Sequence, residues 1–127
     1  MTRPDVECTT YHAILLVADV AASAAFYVER LGFRLAFTEG RPPEFAGVNL
    51  GHVQLFLERG TPGPDGCGLY FVVDDADRLH AFHVSQGVTI VEAPGDRPYH
   101  LRDYTVRDDS GYPITFGHRL SSHAAGQ

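Results

Sequence analysis

The sequence predicts an α+β protein of two tandem βαβββ modules forming a curved mixed sheet around a cavity. Three observations carry this reading. A buried strand followed by an amphipathic helix occurs twice. Each helix is framed by an aspartate and a glycine 13 residues apart, Asp19 to Gly32 and Asp74 to Gly87. Each helix is then followed by three short strand-like segments separated by turn residues.

In chain order, Tyr11 to Ala18 reads as a buried strand and Asp19 as a helix N-cap. Val20, Ala24, Tyr27, Val28 and Leu31 then recur at helical spacing, and Gly32 stands where a helix end takes a positive φ. Strands are expected over Phe33 to Phe37, Phe45 to Leu50 and His52 to Leu57, broken by Gly40-Arg41-Pro42-Pro43 and Gly51. Arg59 to Gly66 is too rich in Gly and Pro for an element interior, so the module boundary falls there. In the second half Gly68 to Val73 reads as a strand, Asp74 or Asp75 as the N-cap, Leu79, Phe82 and His83 as a weaker stripe, and Gly87 as the stop. Strands follow over Val88 to Glu92, Leu101 to Arg107 and Pro113 to Arg119. The chain is thus expected to be one domain, with module one over about 10–59, a linker over 60–66, module two over about 67–120 and a mobile tail over 121–127.

Composition bounds the function. The 127 residues carry a net charge of −6, which argues against nucleic acid or an anionic membrane as the main partner, because both need a basic face. Hydrophobic content of 44% and charged content of 20% are those of a folded globular chain. The longest apolar run, Ala13 to Ala18, is far short of a membrane helix, and no basic-then-apolar segment sits at Met1, so a cytoplasmic protein is expected. Cys8 and Cys67 form no metal-type cluster and read as reduced thiols. Nucleotide-loop, serine-hydrolase and zinc-protease motifs are all missing from the sequence.

With one helix to cover one sheet face, the other face of each module is expected to help enclose a cavity. The period-two rule gives its candidate lining. His12 shares a strand face with Ile14 and Leu16, and serves either as a polar anchor or as a satisfied rim residue. His52 and Gln54 share a face of the fourth strand. Arg102, Tyr104 and Val106 share one face of the seventh strand and are assigned to the cavity, while Asp103, Thr105 and Arg107 are assigned to the surface. Arg102 could receive a carboxylate or phosphate in a bidentate pair, or tie down a loop. Tyr99 and His100 precede that strand as an aromatic lip. Asp77, His80 and His83 follow at steps of three, which is no zinc spacing, and are expected to be solvated helix positions. His118 and His123 near the end are given no role.

The segment from His12 through Asp19, Phe26 and Tyr27 to Leu31-Gly32-Phe33 resembles the opening of the vicinal oxygen chelate superfamily, which includes glyoxalase I, extradiol dioxygenases, and fosfomycin- and bleomycin-resistance proteins. The run Arg102 to Tyr112 resembles its closing strand and Asp-Pro-Asp-Gly turn, with Asp109 and Ser110 in place of Pro and Asp. The likeness spans residues 10 to about 120 and is specific for the superfamily rather than for one activity. In its metal-dependent members, the ligand positions correspond to His12, Gln54, Cys67 or Gly68, and Thr115, of which only His12 is a good ligand.

The resemblance is strongest in character to the metal-independent bleomycin-resistance branch, whose members are dimers that stack a cationic aromatic antibiotic at the subunit interface. It implies a homodimer that binds a small molecule without a metal or other cofactor. The implied lining is His12, His52, Gln54, Tyr99, Arg102, Tyr104 and Thr115, with Tyr99 stacking the ligand and Phe45 or Tyr104 as a second surface. The alternative is an enzyme: a lyase or isomerase of the glyoxalase type, or a ring-cleaving dioxygenase, using a divalent metal at His12 with non-standard ligands such as Gln54, His52 or Cys67, or His12 as general base. Whether the modules pair within one chain or between subunits is left open.

Overall fold

The computed structural model describes residues 3–121. The expected mobile tail falls, apart from Ser121, outside the described residues. Module one comprises β1 (Ile14–Val17), α1 (Val20–Glu29), β2 (Arg34–Glu39), β3 (Phe45–Leu50) and β4 (Val53–Arg59). Module two repeats the order as β5 (Leu69–Val72), α2 (Ala76–Ser85), β6 (Thr89–Asp96), β7 (Leu101–Arg107) and β8 (Pro113–Arg119).

Each module is a four-stranded mixed sheet, ordered β1-β4-β3-β2 and β5-β8-β7-β6. The first strand of each module pairs in parallel with the last, because the helix intervenes as a crossover, and the other pairs are antiparallel. The protein is therefore the predicted α+β fold of two tandem modules, with two open sheets rather than one closed around a cavity.

The helices start and stop where local chemistry demands. Asp19 accepts from the Ala22 N–H, and Asp75, rather than Asp74, accepts from the Arg78 N–H. Gly32 and Gly87 adopt φ of 87° and 72°, a backbone that costs a side-chain-bearing residue energy. α1 buries Val20, Ser23, Ala24 and Tyr27, whereas α2 buries only Ala76 and His83.

The two modules share one core. A chain of aromatic contacts runs from Tyr27 through Phe33, Phe71 and Phe116 to Tyr104 and His83, crossing from module one to module two. The helices and the residues at their ends carry several of the polar contacts between modules. Tyr27 donates to Asp108 at 2.6 Å and Ser23 to Asp109 at 2.9 Å, both in the turn between β7 and β8. Arg30, just past α1, donates to the carbonyls of Gln86 and Gly87 at the end of α2. Joined through their helix-covered faces, the modules leave the opposite face of each sheet uncovered.

Candidate functional site

The uncovered face of module one is an aromatic floor. Phe56 on β4 lies 5.1 Å from Phe45 on β3 and 6.0 Å from Phe37 on β2, centroid to centroid. Gly47 makes this possible, because a Cβ there would overlap the Phe37 ring that lies across it. His12 stacks on Phe56 at 4.5 Å, with its Nδ1–H donating to the Gln54 carbonyl at 2.9 Å. That bond assigns the proton to Nδ1 and leaves Nε2 as the lone-pair nitrogen. The Gln54 amide donates to Asn49 Oδ1. Ile14 and Leu16 extend the same face along β1 and are half exposed.

The uncovered face of module two is a tyrosine wall around one carboxylate. Asp103 on β7 is only 1% exposed. Its Oδ2 accepts from Tyr70 on β5 at 2.7 Å and from Tyr99 in the β6–β7 turn at 2.6 Å, and its Oδ1 accepts from Arg97 Nε at 2.8 Å. Burial opposes ionisation of Asp103, but the bonds from Arg97, Tyr99 and Tyr70 outweigh it and hold the carboxyl below its usual range. The two phenols are held up in turn: Tyr70 by burial and then by its bond to Asp103, Tyr99 by that bond first. Beside this cluster Thr105 and Thr115 share a hydrogen bond at 2.7 Å.

His12, Gln54, Phe45, Tyr99 and Thr115 all belong to uncovered faces. Gln54 and Tyr70 also line an open cavity of about 530 Å³ along the seam between the sheets, with His52 at its edge. A second opening of about 730 Å³, between the β3–β4 turn and α2, also includes His52. His52 itself lies in that turn, one residue before β4, and is exposed.

The assignment of β7 faces is reversed. Tyr104 is fully buried against α2, where its hydroxyl meets His83 Nδ1 at 2.9 Å, so it cannot contact a ligand on the uncovered face. Arg102 shares that helix-covered side and pairs with Asp77 at 2.8 Å and Asp96 at 3.0 Å, acting as a tie rather than an anion receptor. Asp103 and Thr105, expected at the surface, face the site. The parity was correct but its sense was not: Tyr104 and Val106 make the more apolar face, which α2 covers, while Asp103 gains Tyr99 and Arg97 from the preceding turn and Tyr70 from the distant β5.

His83 is likewise not solvated. It is 0% exposed, with Nε2 donating to the Leu31 carbonyl at 2.9 Å and Nδ1 accepting from Tyr104. Burial depresses its pKa. His118, which drew no role, accepts the Ala76 N–H at the start of α2 through Nδ1. Phe37, Phe56 and Tyr70 were missed as site residues. Phe56 shares the strand parity of Gln54, a signal already present in the sequence.

Two βαβββ modules, each with a helix-covered core face and an open aromatic face, define a paired-module protein. A family model described as the Glyoxalase/Bleomycin resistance protein/Dioxygenase superfamily matches residues 10–116, and the chain belongs to that superfamily. The fold is similar to that of TioX from Micromonospora sp. ML1, with TM-score 0.77 and 24% identity over 89% of this chain and 100% of that one. It is also similar to the bleomycin-binding protein of bleomycin-producing Streptomyces verticillus, solved with copper(II)-bleomycin, with TM-score 0.73 and 26% identity over 91% of this chain and 98% of that one. A superfamily member from Sphaerobacter thermophilus DSM 20745 aligns with TM-score 0.75 and 21% identity over 89% and 98% of the two chains. Comparison with curated proteins gives no match.

The residues at the superfamily's metal positions do not fit a divalent ion. His12 offers one nitrogen, the Gln54 amide is bonded to Asn49, the third position falls on Gly68, which has no side chain, or on the single half-buried thiol of Cys67, and the Thr115 hydroxyl is bonded to Thr105. Among the described residues no three His, Cys, Asp or Glu side chains cluster as a ligand set.

Proposed function

We propose that this protein is a metal-independent binder of a planar aromatic, cationic small molecule. It acts as a homodimer in which the aromatic floor of one copy is closed by the tyrosine wall of the other. The observation that carries this reading is the pair of uncovered faces, one bearing Phe37, Phe45 and Phe56 and the other Tyr70 and Tyr99, on opposite modules of one chain. Val72 on β5 is 56% exposed and Ile14 on β1 is 51% exposed, an apolar edge that a second copy would cover. Aromatic faces stack flat ligands, and a net charge of −6 attracts cations. The likeness to a protein solved with copper(II)-bleomycin supports the same class of ligand.

The test combines sedimentation with fluorescence titration of 9-aminoacridine, a planar cation at neutral pH. The reading expects a dimer that binds the probe, with binding lost in Phe56→Ala. A monomer, or binding that survives this substitution, overturns it. A catalytic reading draws on the free Nε2 of His12, which is placed to accept a proton over the floor. It requires turnover of a substrate that disappears in His12→Ala.

A further inference from the structure

The Asp103 cluster does more than present two rings. Each phenol has one proton, and both protons are committed to Asp103 Oδ2, so the lone pairs are what each hydroxyl can still offer to a ligand. The rings remain accessible, with Tyr70 44% and Tyr99 55% exposed, while the carboxylate that fixes them is buried. Arg97 holds that carboxylate from the opposite side and also donates to the carbonyls of Asp103 and Ala93.

Space has been kept for this arrangement. A Cβ on Gly117 would overlap Tyr70 Oη and lie 2.9 Å from Asp103 Cβ, and one on Gly95 would lie 2.9 Å from Arg97 Nη1. Two strand glycines thus clear the positions that Tyr70 and Arg97 need in order to reach Asp103. A phenol donating to a carboxylate becomes a better acceptor, since chained hydrogen bonds polarise one another.

We propose that Asp103 locks Tyr70 and Tyr99 into an acceptor-only subsite that selects the N–H edge of an aromatic ligand and rejects anionic groups. Asp103 is a positioning residue, acting through the two phenols. The inference rests on the proposed reading that an aromatic ligand lies against this wall, and it adds which edge of that ligand is read.

The test uses two probes with the same ring, 9-aminoacridinium and acridine-9-carboxylate, titrated by fluorescence. Wild type is expected to prefer the amine by about tenfold or more, the scale of a hydrogen bond to a charged group. The Tyr70→Phe/Tyr99→Phe protein keeps both rings and the net charge, so long-range attraction is unchanged. Its preference should fall about tenfold from the wild-type value, chiefly through weaker binding of the amine, leaving only the share that the net charge of −6 supports.

An unchanged preference, with binding still lost in Phe56→Ala, overturns the subsite and leaves the binding reading standing. If neither probe binds wild type, the binding reading fails and the subsite fails with it. A readout independent of ligand is phenol absorbance against pH. Each single Tyr→Phe variant should lose one late-titrating phenol, and titration at the ordinary pH of free tyrosine would refute the lock.

Discussion

Replacing His83 with leucine keeps the side-chain volume near that of the original while deleting both ring nitrogens. In the wild-type core these nitrogens satisfy the Leu31 carbonyl and the Tyr104 hydroxyl, and all three groups lie away from solvent. A buried polar group left without a partner costs about 1–3 kcal/mol, so two such groups put the loss at about 2–6 kcal/mol. That is a large share of the ~5–15 kcal/mol that stabilises an ordinary domain.

The same substitution should also change the pH dependence. With Nε2–H given to Leu31 and Nδ1 accepting from Tyr104, the folded ring is neutral. Burial, and to a lesser extent the neighbouring His80, lower its pKa despite the Leu31 bond. The unfolded chain takes up a proton near pH ~6.5, while folded His83 resists it. Stability contributed by this site is therefore complete above that pH and declines on acidification, by at most about 1.4 kcal/mol per pH unit. Leucine has no such response, so the gap between wild type and variant should be largest at neutral pH and narrow toward pH 5. Urea unfolding followed by circular dichroism across this range measures both quantities. A loss below about 1 kcal/mol at neutral pH, or a gap that stays constant or widens as pH falls, would refute the assigned tautomer and its two bonds.

Three further substitutions probe other parts of the account. Gly47→Ala should cost about 1–3 kcal/mol in urea unfolding and displace the Phe37 ring in a crystal structure, because the added methyl would occupy that ring's place. His100, in the β6–β7 turn, has a φ of 68°, so His100→Gly should stabilise the protein by up to about 1 kcal/mol, read as a rise in Tm. Asp19→Ala, which removes the α1 N-cap, should cost about 1 kcal/mol in the same unfolding assay.

The framework was legible in the sequence because it depends on local signals. The caps at Asp19 and Asp75, the stops at Gly32 and Gly87, and the turns around Gly51 and Gly111 each follow from the backbone needs of a few neighbouring residues. β3, β7 and β8 have the boundaries their punctuation implies. The site was less legible because its decisive contacts are long-range. Asp103 looks like a solvated charge until Tyr70, 33 positions away, is brought to it across Gly117. His83 looks like a surface histidine until Leu31, 52 positions away, supplies an acceptor. In β7 each face carries a charged side chain, Arg102 beside Tyr104 and Val106 on one and Asp103 and Arg107 beside Thr105 on the other, so the strand period finds the two faces without placing every charge at the surface.

On the proposed reading the binding site is made by two copies, floor from one and wall from the other. Co-expression of Phe56→Ala and Tyr99→Ala chains tests it directly, with 9-aminoacridine as the probe. A mixed dimer holds one site with both lesions and one with neither, so random pairing should restore about a quarter of the wild-type binding capacity although neither variant binds alone. If floor and wall belong to the same chain, every site carries a lesion and the mixture will bind nothing, which would contradict the account.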